Sequence, residues 1–362
     1  PGRDGQARDR GRIPASENFG RPAGNLHRVG GPKEAFVNTG DQQTLGLYLH
    51  LMMVNGVAHL LKADQQFHFL ASCLEHPLSA EEIAQHCGTQ EKPTHLVMQG
   101  FETIGLVHQE NGKFQLTEFG KISASNPKIL GNFFWDYLPT YLTTGEPIIK
   151  MDVVQHQAEH YQAEVGMLGW MLRLVSEEAA TLLGIGVQRK GLKILDVGAG
   201  SAVWSLAMVR RDRTSRVTAL DWPEVLAVAQ AQAKIEGMEG HLSILPGDFM
   251  KISLPQDSFD LAIVANVAHL QPPQRNQEMF ARTHAALRSG GEIVVIDVLP
   301  GIKEGDVTRI LYQIGLALRT EQGRVYSQEE LQRGLAKAGF QGGQFMMLKS
   351  PPQILGMLVA KK

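Results

Sequence analysis

Cysteine is scarce in this chain of 362 residues, which contains only Cys73 and Cys87. Two cysteines at this separation match neither a zinc-binding pattern nor the disulfide framework of a small secreted domain, so we expect a reducing compartment. Uninterrupted apolar runs are also short: none reaches the roughly 18 residues of a membrane span, and the N-terminus has no apolar signal-peptide core. These absences predict a cytoplasmic protein without a membrane partner.

An excess of charge of either sign is also missing. The formal net charge is -2, which argues against bulk binding of nucleic acid. With 43% hydrophobic and 20% charged residues, the composition is typical of a globular protein of two or three domains.

The distribution of apolar residues divides the chain into three segments. Residues 1–34 are rich in Gly, Pro and Arg and poor in large apolar side chains, so we expect a disordered tail. Residues 35–150 are predicted to form a winged-helix-like dimerisation domain. Residues 151–362 are predicted to form an α/β domain that begins with a helical connector.

The N-terminal segment has the pattern of helices followed by a hairpin. Its sequence from Leu45 to Leu61 is too apolar for an exposed helix, and we expect this helix to build a homodimer. Ser79 and Glu82 have the spacing of a capping box. Residues 96–107 give another helix, and a short strand follows the turn at Asn111-Gly112. Together these elements predict a winged helix.

Many winged helices bind DNA, so a transcription regulator with a ligand-sensing C-terminal domain is the alternative from a different class. A recognition helix carries Arg or Lys toward phosphates and base edges. Between Thr94 and His108 the sequence contains neither. We therefore expect no nucleic-acid partner.

The most informative stretch is residues 192–202, where an apolar run ends in Asp196 and then in Gly198 and Gly200. The pattern predicts a buried strand that turns into a helix, with glycines that let the backbone bend and approach a ligand. Dinucleotide and S-adenosylmethionine loops look alike at this level.

Two details separate these ligands. Val203 stands where the dinucleotide pattern has its third glycine. The carboxylate of Asp196 suits the amino group of a methionine moiety, whereas it would repel a pyrophosphate. Ala202 replaces the third glycine of the pattern D-x-G-x-G-x-G by the smallest side chain. The loop therefore favours S-adenosylmethionine.

Further candidate cofactor residues follow the next predicted strands. Asp221-Trp222 ends the second strand, about 20 residues past the glycines, from where a carboxylate reaches ribose hydroxyls. Asp248-Phe249 follows the third strand, and its acid and ring suit the amine and the face of adenine. Asn266 follows the fourth strand and completes the predicted cofactor site.

A histidine lies at the same predicted edge of the sheet. His269 comes just after the fourth strand, and Asp297 lies near the end of the fifth. Because neighbouring parallel strands end at one edge, we predict that His269 is a base oriented by Asp297.

Residues 156–160, His-Gln-Ala-Glu-His, match an inverted zinc-protease pattern. The motif is short, polar residues surround it, and no third ligand is evident. We interpret it as a solvated helix surface and expect no metal site.

The sequence resembles the S-adenosylmethionine-dependent small-molecule O-methyltransferases, a family that includes plant phenolic and bacterial polyketide and pigment enzymes with an N-terminal winged-helix dimerisation domain. The resemblance covers about Phe36 to Lys362. It rests on Leu195–Gly200, Asp221–Pro223, Gly247–Phe249, Asn266–His269, Gly290–Pro300, Ser327–Phe340 and Gly356–Lys361.

The resemblance implies a Rossmann-like class I methyltransferase domain, a doubly wound, mostly parallel sheet of seven strands, and a homodimer built through the N-terminal domain. It implies methyl transfer to a hydroxyl of a small aromatic or secondary-metabolite acceptor, with His269 as the general base and Asp297 beside it. Methyl transfer to carbon or nitrogen on the same scaffold is the alternative. The aromatic residues Tyr161, Trp170 and Tyr312 are candidates for the acceptor pocket.

The chain departs from the family pattern around the predicted base. The family motif usually continues His-Asp-Trp or His-His-Trp, whereas Leu270-Gln271 follow His269 here. The second flanking acid of the plant enzymes would fall near Val325, and Ala265 stands where plant members often have a lysine. We expect these differences to concern the acceptor rather than the cofactor.

Overall fold

The computed structural model describes residues 42–126, 132–152, 165–299 and 306–362 of the chain. The predicted tail at residues 1–34, the motif at residues 156–160 and Tyr161 lie outside the described residues.

The N-terminal part combines helices with a small antiparallel sheet. Its strands are β1 (Leu78–Ser79), β2 (Val107–Glu110) and β3 (Lys113–Leu116), in the spatial order β1-β3-β2. Its helices span Gln42–Phe67, Phe69–Ser72, Ala80–Cys87, Glu91–Thr103 and Glu118–Ser125. Helices and hairpin thus occur in the predicted order, and the assignment as a winged helix stays a prediction.

Local chemistry explains where these elements begin and end. Ser79 Oγ accepts the N–H of Glu82 at 3.2 Å, and the Glu82 carboxylate accepts the N–H of Ser79 at 2.6 Å, so the predicted capping box is present. The helix predicted at residues 96–107 instead spans Glu91–Thr103. Gly105, with φ of +78°, ends it earlier than the apolar pattern indicates.

The first helix, Gln42–Phe67, has no buried residue. Its leucines at positions 45, 47, 49 and 51 are each more than half exposed. By length and composition alone this helix is long and apolar enough to cross a membrane. It contains no uninterrupted apolar run of that length, because His50 and Asn55 lie within it. An apolar surface of this extent needs a partner.

Short helices connect the two parts of the chain. They span Asn132–Asp136, Leu138–Thr144, residues 165–171 and Arg173–Leu182. The N–H of Ile148 donates to the carbonyl of Leu318 at 2.9 Å, which ties the connector to the C-terminal part.

One sheet of seven strands organises the C-terminal part, in the spatial order β6-β5-β4-β7-β8-β10-β9. The strands are β4 (Lys193–Val197), β5 (Arg216–Asp221), β6 (Leu242–Pro246), β7 (Phe259–Ala265), β8 (Leu287–Val298), β9 (Gln341–Met347) and β10 (Leu355–Lys361). Strands β4 to β8 pair in parallel, whereas β10 is antiparallel to both of its neighbours. The predicted mostly parallel sheet is confirmed.

Helices cover both faces of this sheet. One face carries Arg173–Leu182, Val203–Arg211 and Pro223–Ile235; the other carries Pro273–Ala286 and Gln328–Lys337. Consecutive residues of β4 belong to different cores, since Ile194 packs on the first side and Leu195 on the second. The sheet is therefore doubly wound, as predicted. A further helix, Val307–Arg319, precedes the last helix and the two final strands.

The beginning of β8 contains two consecutive glycines. Gly290-Gly291 has the composition of a turn, but both glycines lie within β8. Gly290 has φ of +74°, and the pairing with β7 shifts register between Phe259 and Leu261. The glycines accommodate an irregularity inside the strand rather than a separate turn.

Candidate active site

The carboxyl ends of the parallel strands surround one cleft. Because β4, β5, β6 and β7 run in the same direction, the residues that follow them meet at one edge of the sheet. The cleft encloses about 830 Å³, part of it open to solvent. Its lining includes the predicted cofactor residues Gly198, Gly200, Asp221, Trp222, Phe249 and Asn266.

The glycine loop follows β4 directly and forms one wall of the cleft. Gly198 and Gly200 have φ of +69° and +57°, values that favour glycine. A Cβ on Gly198 would lie 2.5 Å from Cγ2 of Val267. Any larger residue there would push the loop away from the end of β7.

Ala202 has the left-handed conformation that the third glycine of the motif provides, with φ of +57°, and it is fully buried. Its N–H donates to the carbonyl of Ala199 at 2.7 Å, and its carbonyl accepts from Leu206 at 2.8 Å. This turn connects the loop to the helix Val203–Arg211. A side chain in the left-handed conformation costs about 1–2 kcal/mol.

Asp221 holds the glycine loop to the end of β5. Its Oδ2 accepts the N–H of Gly200 at 2.8 Å, and its Oδ1 accepts the N–H of Trp222 at 2.7 Å. Burial raises the pKa of Asp221, and the two backbone donors oppose that rise. The carboxylate faces the cleft and is placed to accept hydrogen bonds from a ligand.

Asp196 lies beneath the loop rather than on the cleft wall. It is buried, and its Oδ2 accepts a 2.5 Å hydrogen bond from Oγ of Ser205. Burial raises the pKa of Asp196 to about 7; the Ser205 hydrogen bond opposes this rise, and the nearby Asp221 carboxylate adds to it. A direct contact of Asp196 with the cofactor stays a prediction.

Asp248 and Phe249 follow β6 but face different surroundings. Phe249 lines the cleft, and the guanidinium carbon of Arg275 lies 5.7 Å from the centre of its ring. Asp248 is buried, and its Oδ1 accepts the N–H of Met250 at 2.9 Å and lies 3.7 Å from Arg275. The ring of Phe249 is thus available to a ligand, while the Asp248 carboxylate stabilises the turn that follows β6.

Asn266, after β7, has a left-handed backbone with φ of +57°. Its Oδ1 is buried and has no hydrogen-bond partner among the described residues. An unpaired buried oxygen costs about 1–3 kcal/mol, and a donor on a bound ligand would satisfy it. S-adenosylmethionine carries such donors on its ammonium, ribose and adenine groups, so the cleft fits this cofactor.

The structure brings His269 and Asp297 together. His269 Nδ1 lies 2.6 Å from Oδ1 of Asp297, and the backbone N–H of His269 donates to Oδ2 at 3.0 Å. Both side chains are buried, with 4% and 2% of their surface exposed. Because the carboxylate only accepts, Nδ1 carries the proton and Nε2 presents a lone pair.

Tyr312, on the helix Val307–Arg319, contacts the other side of the imidazole. Its hydroxyl lies 3.0 Å from Nε2 of His269, with the two rings edge to face. The guanidinium carbon of Arg319 lies 5.8 Å from the centre of the Tyr312 ring. Burial raises the pKa of Tyr312, and Arg319 opposes that rise. The neutral tyrosine therefore donates its hydroxyl proton to Nε2.

Trp170, another predicted acceptor residue, does not line this cleft. It is 52% exposed and stacks on Phe119 at 6.5 Å between ring centres. The connector contributes Val165, Leu168 and Leu172 to the cleft instead, and their spacing is that of one helical face. Sequence reasoning missed these three residues and Ser205, although the periodicity of the first three was visible in the sequence.

Within the ranges that the structure describes, no group of three or more His, Cys, Asp and Glu side chains could hold a metal ion.

Comparison with known proteins identifies the class. A family model described as an O-methyltransferase domain matches residues 153–341. Acetylserotonin O-methyltransferase of Bos taurus is 26% identical over 312 residues, which cover 76% of this chain and 85% of that protein. L-tyrosine C(3)-methyltransferase of Streptomyces lavendulae is 25% identical over 161 residues, 44% of each chain. The solved structure of human N-acetylserotonin methyltransferase in complex with S-adenosylmethionine has a TM-score of 0.66 at 21% identity and covers 90% of this chain and 99% of that one.

The family model assigns the chain to the S-adenosylmethionine-dependent methyltransferases, and the doubly wound sheet with its glycine-loop cleft agrees with that class. Because the family model matches more than half of the 362 residues, the chain belongs to the O-methyltransferase domain family. Its cofactor is S-adenosylmethionine.

Proposed function

We propose that the protein methylates a hydroxyl of a small aromatic acceptor and that His269 is the general base. The observation that carries this proposal is the 2.6 Å pairing of His269 Nδ1 with Asp297, which leaves Nε2 as the proton-accepting atom. The residues on either side of His269 in sequence, Val267 and Leu270, line the cofactor cleft. A hydroxyl acceptor also agrees with the name of the acetylserotonin O-methyltransferase relative.

Several residues would hold the cofactor in the cleft. Asp221 would accept from the ribose, Phe249 would pack on the adenine, and Asn266 Oδ1 would accept from a donor of the bound molecule. When bound, S-adenosylmethionine supplies an electrophilic methyl group.

The other residues position the acceptor and exclude water. An in-line displacement needs the acceptor atom held against the methyl group in a dry site. Val165, Leu168 and Leu172 cover the cleft with apolar side chains. This covering favours a flat, apolar acceptor.

The base removes the proton that makes a hydroxyl a poor nucleophile. A phenol has a pKa of about 10 and is mostly protonated near neutral pH. Nε2 of His269 receives that proton, and the Asp297 carboxylate stabilises the resulting imidazolium. The net effect is a more nucleophilic oxygen at the moment of transfer.

Incubation with methyl-labelled cofactor tests this function. The acceptors would be N-acetylserotonin, 2-hydroxy-5-methyl naphthoic acid, L-tyrosine and extracts of the host organism. We expect the label in a methoxy group of a phenolic product, identified by mass spectrometry and NMR. Label found only on nitrogen would contradict the proposal.

Methylation of carbon is the second candidate, supported by the similarity to L-tyrosine C(3)-methyltransferase. The ring carbon next to a phenolic hydroxyl becomes nucleophilic once that hydroxyl loses its proton, so the same base serves. The product decides between the two: an aryl methyl group instead of a methoxy group would replace the first candidate by the second.

We also propose that the active species is a homodimer joined through the helix Gln42–Phe67. Its support is the absence of any buried residue along this helix together with its exposed leucines. A second copy would cover the apolar surface without a membrane. That the protein binds neither membrane nor nucleic acid, and that it resides in the cytoplasm, stay predictions.

A further inference from the structure

We propose that Tyr312 is a proton relay, through which the acceptor hydroxyl passes its proton to Nε2 of His269. This inference rests on the proposed function and adds a residue to its catalytic machinery.

The proton-accepting nitrogen of His269 already has a hydrogen-bond partner. Nε2 of a neutral imidazole has one lone pair, and the hydroxyl of Tyr312 lies on it at 3.0 Å. The other ring nitrogen is committed to Asp297. The direction of both hydrogen bonds is therefore fixed: Tyr312 donates to His269, and His269 donates to Asp297.

Access to the imidazole is restricted. His269 is only 4% exposed, and the cleft wall beside it is formed by Asn266, Val267, Leu270 and Gln271. Tyr312 is only partly buried, and its oxygen still has lone pairs after donating its proton. The Tyr312 side chain as a whole is thus more exposed than the imidazole, and its oxygen is a second proton acceptor on the Nε2 side of the ring.

The relay occurs in one concerted step, in which each proton released by one group is accepted by the next. The O–H bond of the acceptor breaks and its proton binds the Tyr312 oxygen, while the original Tyr312 proton moves to Nε2. The acceptor oxygen uses the freed electron pair to form its bond to the methyl carbon, whose bond to sulfur breaks, with that electron pair staying on sulfur. Tyr312 ends neutral, and the positive imidazolium lies against Asp297.

The surroundings of Tyr312 suit this role. The concerted step needs no free tyrosinate, which agrees with burial raising the pKa of this side chain. Arg319 over the ring stabilises negative charge that builds on the oxygen during the transfer.

The experiment compares Tyr312→Phe with Tyr326→Phe. The second is a matched control, because the buried Tyr326 hydroxyl donates to the carbonyl of Gln271 at 2.5 Å and does not contact the imidazole. Single-turnover rates are measured with whichever phenol among the acceptors named above is methylated fastest, and cofactor affinity is measured by calorimetry. We expect Tyr312→Phe to lose about 10²-fold in rate at unchanged cofactor affinity, and Tyr326→Phe to lose stability but little rate.

Two further measurements do not depend on a rate loss in the variant. Single-turnover rates of the wild type in mixtures of H₂O and D₂O should follow a curved dependence on deuterium content, since two protons move in the step. The ¹⁵N signal of His269 Nε2 should shift in Tyr312→Phe and not in Tyr326→Phe. A straight dependence or an unmoved signal overturns the relay.

The outcomes separate this inference from the proposed function. If Tyr312→Phe keeps or gains activity while His269→Ala is inactive, Tyr312 only covers the base, so the relay is wrong and the base assignment stands. If His269→Ala itself keeps nearly full activity, the base assignment fails and the relay fails with it.

Discussion

Ser205 and Asp196 form a buried hydrogen bond of 2.5 Å directly behind the glycine loop. Burial raises the pKa of Asp196 from 3.8 to about 7. Between these two pH values the folded protein retains a proton that the unfolded chain has lost. The free energy of unfolding contributed by this group therefore falls as pH rises through that window.

We expect Asp196→Asn to flatten this dependence and to be more stable than the wild type at pH 8. Thermal unfolding across pH 4 to 8 measures how stability depends on pH. Glu118→Gln, at an exposed position, is the control that should keep the wild-type dependence. Equal slopes in Asp196→Asn and wild type would contradict the assignment.

A second measurement concerns the cofactor. If Asp196 binds the ammonium group of the cofactor, binding near pH 6 should release protons, which calorimetry in buffers of different ionisation enthalpy detects.

Asp221→Ala should weaken S-adenosylmethionine binding without unfolding the protein. We expect wild-type affinity in the micromolar range and at least about a tenfold loss in the variant, because both a ribose acceptor and the anchor of the Gly200 N–H are removed. Calorimetry and circular dichroism measure the two effects. Binding of a nicotinamide dinucleotide by the wild type, with no response to S-adenosylmethionine, would contradict the cofactor site.

Ala202→Gly should stabilise the protein by about 1 kcal/mol, because glycine adopts the left-handed conformation without the steric cost of a Cβ. Ala227→Gly provides the control. This exposed residue lies within the helix Pro223–Ile235, where the same substitution should destabilise by about 0.5–1 kcal/mol. Denaturant unfolding of both variants should give shifts of opposite sign, and a shift of the same sign would refute the strain at position 202.

The sequence predicts the sheet and the strand-end residues well because both depend on local patterns. Asp221, Phe249 and Asn266 follow buried strands directly, so parallel pairing brings them to one cleft. Asp196 shows the limit of this reasoning. The alternation of side chains along β4 does not reveal that Ser205 points inward and donates a hydrogen bond to the Asp196 carboxylate.

Residues distant in sequence from the motifs were harder to place. Tyr312 reaches His269 only because the helix Val307–Arg319 packs beside the sheet, and no local pattern specifies that packing. Trp170, also predicted for the acceptor pocket, packs its ring on Phe119 and does not line the cleft. Gly290-Gly291 likewise has the composition of a turn, yet strand pairing holds it within β8.

The homodimer should dissociate when charge is placed on the helix Gln42–Phe67. We expect light scattering to give a dimer for the wild type at micromolar concentration and a monomer for the double variant Leu47→Glu, Leu51→Glu, because burying two carboxylates in an apolar interface is unfavourable. Deletion of residues 1–34 should leave the dimer intact. A monomeric wild type would contradict the proposal, and recovery of the wild type with lipid vesicles would point to the membrane instead.

His269→Ala should keep its cofactor affinity and lose about 10²- to 10⁴-fold in rate, because the imidazole is not among the groups predicted to hold the cofactor. The rates of wild type and variant on the true acceptor, together with calorimetry of the cofactor, test this prediction.

Asp297→Asn should lose less than His269→Ala but in the same direction. The imidazole stays in place, yet an amide orients Nδ1–H less strongly and does not stabilise the imidazolium. Among the residues that the structure describes, Asp297 is the one carboxylate that contacts the imidazole, so the loss should exceed that expected for one acid of a pair. Nearly full activity of His269→Ala on the true acceptor would remove the base from the mechanism. It would favour an amine substrate or a nucleophile that is already ionised when it binds.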